Sequence, residues 1–245
     1  MPSSVSISLV ILVWITTIII INHANTTVAK PQSSSLAQES KALNQTLWWW
    51  GYRNETILSP CKWDGIVCND GGSVIKINLK RRKYYGPLSY FNFSSFPNLV
   101  WFKLAGIGLY RSIPPKIGSA FKLTHLNLFG NFLLGELPLS LTKLTLLEKL
   151  DINFNQMSSP IPLQLGILSG LVELYLGGNY FSSTIPSTLG LLTYLTHFHL
   201  HSNQINSTIP SEIYNLKNLM VLHLGTNNLF GSISSKIGNR KMWFL

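Results

Sequence analysis

Apolar residues return along this chain at a fixed interval that is too long to be the period of a single helix or strand. Six leucines are spaced 24 residues apart: Leu99, Leu123, Leu147, Leu171, Leu195 and Leu219. Residues 123–146, LTHLNLFGNFLLGELPLSLTKLTL, show the pattern L-x-x-L-x-L-x-x-N-x-L-x-G-x-L-P. Two further columns keep the same interval: Asn131, Asn155, Asn179, Asn203 and Asn227, and Pro114, Pro138, Pro162, Pro186 and Pro210. This self-similarity predicts a stack of equivalent structural units.

The alternation within each unit predicts how the units stack. In x-L-x-L-x, the leucines lie on one side of a short strand and the x residues on the other. Parallel stacking of these strands fuses the leucines into one core, and the column asparagine pairs with buried backbone at the turn. The column proline favours extended backbone on the opposite side. We therefore predict an α/β-type repeat solenoid, a curved horseshoe with parallel strands on the concave face and irregular or 3-10 segments on the convex face.

Three segments are expected along the chain. Residues 1–29 read as a signal peptide, with an apolar run over 5–21 and cleavage after Ala29. An uncleaved membrane anchor is the alternative, although the run falls short of the ~20 residues that span a bilayer. Residues 30–73 form an N-terminal cap, and residues 74–245 form about seven repeats, the last incomplete. Ser234 replaces the column proline there, and we expect an open apolar edge at the C-terminus, as in an interrupted longer protein.

Cysteines and glycosylation motifs support export from the cell. Cys61 and Cys68 are the only cysteines, and an oxidising compartment favours one disulfide between them. A zinc pair is the alternative, but it would supply only half of a tetrahedral site. N-x-S/T motifs occur at Asn25, Asn44, Asn54, Asn92 and Asn206, and we predict glycans on the last four. The expected location is the extracellular space or the cell surface.

Several motifs resemble a known family. The 24-residue unit with G-x-I-P is similar to the plant extracellular leucine-rich repeat. Residues 40–50, followed by Cys61-x-Trp63-x-Gly65-Ile66-x-Cys68, resemble the N-terminal cap of plant leucine-rich-repeat receptor-like kinases. The resemblance extends from about residue 36 to residue 238. It implies an extracellular domain that binds secreted peptides along its inner surface and pairs with a shorter leucine-rich-repeat co-receptor. The chain departs from that family in its small number of repeats and in having neither a second apolar span nor kinase motifs.

The charge is large and unevenly placed. The formal net charge is +10, and nine bases with no carboxylate lie between Asp70 and Glu136: Lys76, Lys80, Arg81, Arg82, Lys83, Lys103, Arg111, Lys116 and Lys122. Nucleic acid is a common partner of basic stretches, but the export signal argues against it. Acidic peptides or wall polysaccharides are the expected partners, and a solvated, solubilising face is the alternative.

The x positions of the strands define the candidate binding residues on the concave face. They are Lys76, Trp101, Lys103, His125, Phe129, Asp151, Glu173, Tyr175, His197, His199, His201 and His223. All five histidines after the N-terminal segment fall on this face. Ordinary surface variation, a pH-sensitive contact titrating near pH ~6.5 and metal binding remain open as explanations. His197 and His199 alternate on one strand, but spacing supplies no third ligand, so we predict no metal and no cofactor.

These observations favour a recognition module over an enzyme. Common catalytic motifs are absent from the sequence, and Asp151 with Glu173 is a weak glycosidase pair because an open face offers no pocket to shift their pKa values. The expected function is extracellular recognition of a peptide or protein by a receptor-like chain. A secreted inhibitor of a wall-degrading enzyme and the N-terminal portion of an active Ser/Thr receptor kinase are the alternatives. Seven strands ~4.8 Å apart give a face of about 30 Å, the length of an extended peptide of about ten residues.

Overall fold

The computed structural model describes residues 33–46, 48, 59–80, 84–234 and 243–244. One α-helix, α1, spans Ser33–Gln45. Short 3-10 helices span Pro60–Lys62, Leu88–Tyr90, Phe93–Ser95, Pro115–Ser119, Leu139–Lys143, Leu163–Ile167, Ser187–Leu191 and Ser211–Asn215. The signal-peptide segment, Asn25 and Asn54 lie outside the described residues. Within the described residues, no helix is both long enough and apolar enough to cross a bilayer.

The first sheet has nine strands and carries the concave face. Its order along the sheet is β1 (Ile66–Cys68), β2 (Val74–Lys80), β4 (Trp101–Ala105), β6 (His125–Asn127), β8 (Lys149–Asp151), β10 (Glu173–Tyr175), β12 (His197–His199), β14 (Val221–His223) and β15 (Trp243–Phe244). The pairs from β2 to β15 are parallel, whereas β1 is antiparallel to β2. The central residue of each short repeat strand is buried and its two neighbours are half-exposed. The predicted leucine-rich solenoid is therefore confirmed.

A second parallel sheet lies on the other side of each turn and was not predicted. Its order is β3 (Gly86–Pro87), β5 (Leu109–Arg111), β7 (Phe132–Gly135), β9 (Gln156–Pro160), β11 (Tyr180–Ser183) and β13 (Gln204–Ile205). These strands are short and mix polar with aromatic residues, so their pairing leaves no clean alternation in the sequence. The predicted 3-10 segments are confirmed, and from Pro114 to Pro210 each column proline directly precedes one of them. An N–H is not needed at that position, so proline costs no hydrogen bond.

The column asparagines form a ladder of hydrogen bonds that are buried at Asn131, Asn155 and Asn179 and part-buried at Asn203 and Asn227. Asn131 accepts at Oδ1 from the backbone N–H groups of residues 107–109 at 3.0–3.2 Å. Its Nδ2 donates to the carbonyl oxygens of Leu104 at 2.7 Å and Leu128 at 2.8 Å. Equivalent bonds recur at Asn155, Asn179, Asn203 and Asn227. Each asparagine thus joins its own turn to backbone of the preceding repeat, as the sequence predicted.

Aromatic packing and a disulfide close the N-terminal end. Trp48 stacks on Phe91 with ring centroids 5.5 Å apart, and Phe91 stacks on Phe96 at 4.6 Å. The predicted disulfide between Cys61 and Cys68 is confirmed, with their Cα atoms 5.5 Å apart. These contacts bury side chains that the first repeat would otherwise leave exposed to water.

A buried carboxylate joins α1 to the first repeat strand. Glu39 is fully buried, and it accepts from the hydroxyl of Ser73 at 2.7 Å and the backbone N–H of Val74 at 3.0 Å. The Ser73 hydroxyl also accepts from the side-chain amide of Asn98 at 3.0 Å. Burial raises the pKa of Glu39 above its ordinary value of 4.5, and the two hydrogen bonds offset this only in part.

The first sheet extends beyond the last repeat strand at the C-terminal end. Trp243 and Phe244 pair in parallel with Val221 and Leu222 of β14. An open cavity of about 350 Å³ in the last two repeats is lined mainly by apolar residues: Ile209, Leu224, Gly225, Leu229, Phe230, Gly231, Ser232 and Ile233.

Because the column asparagines bond to buried backbone groups, we expect Asn179→Ala to lower the stability of the fold substantially. This change removes the acceptor for the Met157 N–H and the donor for the carbonyls of Ile152 and Leu176, all in buried positions. Unpaired buried backbone groups lower the free energy of unfolding, here by about 2–4 kcal/mol. The matched control is Gln156→Ala, on an exposed strand position of the neighbouring repeat, which should stay within about 0.5 kcal/mol of wild type. Urea unfolding followed by circular dichroism measures both, and equal losses would contradict the prediction.

We expect the contribution of Glu39 to the free energy of unfolding to depend on pH. Because its pKa is raised in the folded state, the folded chain binds this proton more tightly than the unfolded chain. Its contribution is therefore most favourable below pH 4.5 and declines as pH rises through the raised folded-state pKa. Glu39→Gln should remove that decline, so the difference in unfolding free energy between variant and wild type should shift in favour of the variant between about pH 4 and pH 7. Parallel pH profiles for the two proteins would show the prediction to be wrong.

Candidate functional site

The x positions of the first sheet align in three columns on the concave face. Strand register places Lys76, Trp101, His125, Lys149, Glu173, His197 and Val221 in the first column. The second column holds Asn78, Lys103, Asn127, Asp151, Tyr175, His199 and His223. Backbone hydrogen bonds just beyond the strands extend a third column through Phe129, Asn153, Gly177, His201 and Gly225. The structure thus brings all twelve candidate residues onto one face.

The N-terminal end of the face is cationic and aromatic. Trp101 stacks on the His125 ring with centroids 3.9 Å apart and planes 9° apart. The Nζ atom of Lys76 lies 4.9 Å from the Trp101 ring centroid, within the range of a cation–π contact. The hydroxyl of Thr124 contacts Nδ1 of His125 at 2.8 Å and fixes the imidazole against the strand. Together with Lys103 in the second column, these side chains form a flat, positively charged surface that suits an anionic group.

An ion pair occupies the centre of the first column. Lys149 and Glu173 face each other on adjacent strands and form a salt bridge. Lys149 Nζ also lies 4.9 Å from the Tyr175 ring centroid. Burial raises the pKa of Glu173, but the hydrogen bond and charge of Lys149 outweigh it, and the net pKa is lowered from 4.5. Burial, followed by the negative charge of Glu173, raises the pKa of Tyr175, so the phenol stays protonated.

Amide side chains continue the second and third columns across the centre. Asn127 Nδ2 donates to Oδ2 of Asp151 at 2.9 Å, and Asp151 Oδ1 accepts from the Asn153 N–H at 3.2 Å. Asn153 Oδ1 in turn accepts from the Gly177 N–H at 2.6 Å. Burial raises the pKa of Asp151, against the lowering effects of the Asn153 N–H and of the nearby lysines. Both central carboxylates are therefore engaged in fixed contacts, and the expectation that an open face leaves their pKa values unshifted is wrong, because burial and these contacts move both.

Histidines gather at the C-terminal end. We use "histidine cluster" for His199, His201 and His223. The rings of His201 and His223 stack with centroids 4.0 Å apart, and the edge of His199 lies against His223 at 5.5 Å. Tyr175 meets His199 edge to face at 4.6 Å. His197 is held separately, with its Nδ1 2.9 Å from the hydroxyl of Thr196.

A pH-sensitive contact near pH 6.5 is one of the explanations that the sequence leaves open, and the pKa values of three of the histidines lie below that range. Burial, followed by repulsion from His223 and His201, lowers the pKa of His199 to about 4. Burial and His223 also lower the pKa of His201. Burial is the main cause of the lowered pKa of His125. The sequence places these residues on a surface, but stacking in columns removes much of the water that would stabilise a protonated ring.

Two contributors to the face were missed in the sequence. Phe154 lies outside the x-L-x-L-x pattern, yet its ring contacts Phe129 at 5.4 Å and His201 at 5.9 Å, both edge to face. Its backbone has a positive φ of 55°, which turns the side chain toward the face. The threonines that hold His125 and His197 were also missed, although the repeated Thr-His pairs at 124–125 and 196–197 were available as a signal.

The described glycosylation motifs lie away from the columns. Asn44 and Asn206 are exposed, and they stay predicted glycan sites. Asn92 is half-buried, with its Nδ2 donating to the Ser95 hydroxyl at 3.0 Å and its Oδ1 accepting from Ser94 at 2.7 Å. A glycan on Asn92 would have to replace the first of these hydrogen bonds.

Comparisons with known proteins agree with this architecture. The family model described as "Leucine Rich Repeat" matches residues 122–144, 170–192 and 194–216. A curated relative, the leucine-rich repeat receptor-like serine/threonine-protein kinase RGI4 of Arabidopsis thaliana, is 36% identical over 85 residues, which are 35% of this chain and 8% of the relative.

Solved structures extend the likeness over most of the chain. The ectodomain of the Arabidopsis receptor kinase HAESA, in complex with an IDA peptide hormone ligand, has a TM-score of 0.76 and 30% identity, over 85% of this chain and 36% of that one. HAESA with IDA and the co-receptor SERK1 gives a TM-score of 0.74 at 27% identity, over 86% of this chain and 40% of the other. A plant ice-binding protein has a TM-score of 0.72 at 25% identity, over 86% of this chain and 68% of that one.

The chain matches only part of the length of each of these receptor kinases. The chain spans less than a tenth of RGI4 and roughly a third of the HAESA ectodomain. The repeat family model, the parallel sheets and the structural likeness all describe the same architecture. This chain is a leucine-rich-repeat solenoid that resembles, in sequence and in fold, the extracellular domains of plant leucine-rich-repeat receptor kinases.

Proposed function

We propose that this chain is the ligand-recognition module of a receptor-like protein and binds a secreted peptide along its concave face. The observation that carries the proposal is the continuous face of three columns, on which, among the described residues, lysines without an ion-pair partner lie at the N-terminal end, the carboxylates of Asp151 and Glu173 in the centre and histidines at the C-terminal end. Such a face, about 30 Å long at ~4.8 Å per strand, suits an extended chain better than a compact small molecule.

The orientation of the peptide follows from the charges. Lys76 and Lys103 lie at the N-terminal end with no carboxylate opposite them in the adjacent strand positions, whereas Asp151 and Glu173 occupy the centre. An anionic end of the peptide therefore lies over the N-terminal repeats, where the Trp101 ring provides an apolar contact surface. Opposite charges of this kind speed up the encounter and select the register of binding.

The relatives support this assignment. HAESA is seen with the peptide hormone IDA, and in one structure also with the co-receptor SERK1. By analogy, we assign this chain to the extracellular space or the cell surface and propose a leucine-rich-repeat co-receptor as a second partner. The solved receptor structures that it resembles are ectodomains, so we assign no catalytic step to the described residues.

A charge-reversal pair tests the proposal. Peptides are first selected on the wild-type chain from a displayed library of random peptides of about ten residues, the length that the face accommodates. Lys103→Glu, on the concave face, should weaken the binding of the selected peptides by at least about tenfold, because it reverses the charge that attracts their anionic end. The matched control is Lys116→Glu, the same change on an exposed 3-10 helix outside the concave sheet, which should leave the affinity within about twofold.

The measurement is the dissociation constant by calorimetry or biolayer interferometry at one fixed salt concentration. Equal effects of the two variants would place the binding surface elsewhere than the concave face. Selection of no binding peptide from the library would contradict peptide recognition itself.

A further inference from the structure

The histidine cluster brings together three imidazoles from two successive repeats, with His199 and His201 in one repeat and His223 in the next. His199 and His223 are register partners on β12 and β14, and His201 follows His199 in the next column. One ring nitrogen from each of the three residues lies within 4.8 Å of the other two. The 24-residue period already places His223 beside His199, but it does not show that ring nitrogens of all three residues converge.

Two ring nitrogens of the histidine cluster lack a hydrogen-bond partner among the described residues. Nε2 of His199 and Nδ1 of His201 are buried, and neither is paired within the part of the chain that the structure describes. Most buried polar atoms in folded proteins are paired, so an unpaired atom calls for a specific explanation. Here two such atoms lie in one cluster and belong to the side chain that most commonly ligates transition metals.

The neighbouring repeat leaves space for this arrangement. His201 lies over Gly177, and a Cβ atom built on Gly177 would come within 2.4 Å of Cε1 and 2.5 Å of Nδ1 of the imidazole. In the same column, the two preceding repeats carry Phe129 and Asn153, whose side chains would fill that space. The glycine is therefore what allows the ring of His201 to approach the backbone and reach His223.

We propose that His199, His201 and His223 form a binding site for a late first-row divalent transition metal ion, of which Zn²⁺ and Cu²⁺ are the probes. Imidazole nitrogen suits these ions, whereas Ca²⁺ and Mg²⁺ prefer oxygen ligands. Three protein ligands leave at least one coordination position open, as in zinc sites that bind an exogenous group. The half-buried rings lie on the concave face, so that open position is accessible from it.

Binding requires a small local rearrangement. Zn–N bonds of about 2.0–2.1 Å place the nitrogens of a tetrahedral site about 3.4 Å apart. The nitrogens must therefore close up, and at least one of the stacked rings of His201 and His223 must turn to direct its lone pair at the ion. Rotation about side-chain torsions supplies this movement without a change in the backbone ladder.

Zinc titration of the chain, purified without a polyhistidine tag and treated with chelator, tests the site directly. Calorimetry should show one equivalent of Zn²⁺ bound by wild type. His199→Ala and His223→Ala should each weaken the affinity by at least about tenfold, since each removes a ligand. His197→Ala is the matched control, because it removes an imidazole from the same strand and face but not from the cluster, and the affinity should stay within about twofold.

A second variant separates ligand position from ligand identity. Gly177→Ala retains all three histidines but places a methyl group where the His201 ring lies, and it should weaken Zn²⁺ binding by roughly tenfold.

With Cu²⁺ as the probe, electron paramagnetic resonance should show coupling to three imidazole nitrogens in wild type and to two in His223→Ala. Circular dichroism checks that every variant is folded. If a ligand-removing alanine variant is not folded, His223→Gln is used to remove a ligand instead.

Two results would contradict the proposed metal site. Failure of wild type to bind Zn²⁺ would overturn the proposal, and so would an equal loss in His197→Ala and His223→Ala. The site is independent of the proposed peptide function, because the titration involves only the protein and the metal ion and uses residues at the opposite end of the face from Lys103.

Discussion

The backbone turns back on itself inside this molecule once in every repeat, and the asparagine side chains make the hydrogen bonds that the turning peptide groups cannot make with one another. Asn131, Asn155 and Asn179 are buried, and each joins its own turn to backbone of the preceding repeat. Leucine burial supplies the larger driving force, but it has no direction. The amide ladder supplies direction, because its donors and acceptors are satisfied only when successive turns stand directly above one another.

This constraint carries over to the concave face. Once the turns are aligned, the residues that precede them are aligned as well, and side chains 24 positions apart become neighbours on adjacent strands. Lys149 meets Glu173, and Tyr175 meets His199, for this reason. The face is thus a rigid surface whose chemistry is set column by column. A rigid surface needs little ordering when it binds a partner, which favours affinity.

The repeats also allow the two ends of the face to differ. Each repeat contacts only its neighbours, so a change of side chain at one x position leaves the distant core unaffected. The N-terminal repeats carry lysines and the stacked Trp101–His125 pair, whereas the C-terminal repeats carry the histidine cluster. Packing in columns also changes the pKa of a side chain. Burial and the neighbouring rings lower the pKa of His199 to about 4, far from the value of an isolated imidazole. One scaffold therefore holds a cationic surface and a cluster of half-buried imidazoles within a single face.

The sequence alone determined the features that depend on period. The 24-residue interval fixes the stacking of the strands, and alternation within x-L-x-L-x decides which side chains face the concave surface. The asparagine column identified the buried ladder, and the paired cysteines identified the disulfide. Only the tertiary structure decided the features that depend on contacts between repeats. The second sheet pairs residues with no local alternation, Phe154 reaches His201 through a positive φ, and Gly177 leaves the space in which His201 meets His223. Period determines which residues are neighbours, but ring orientation, burial and protonation depend on how those neighbours pack in three dimensions.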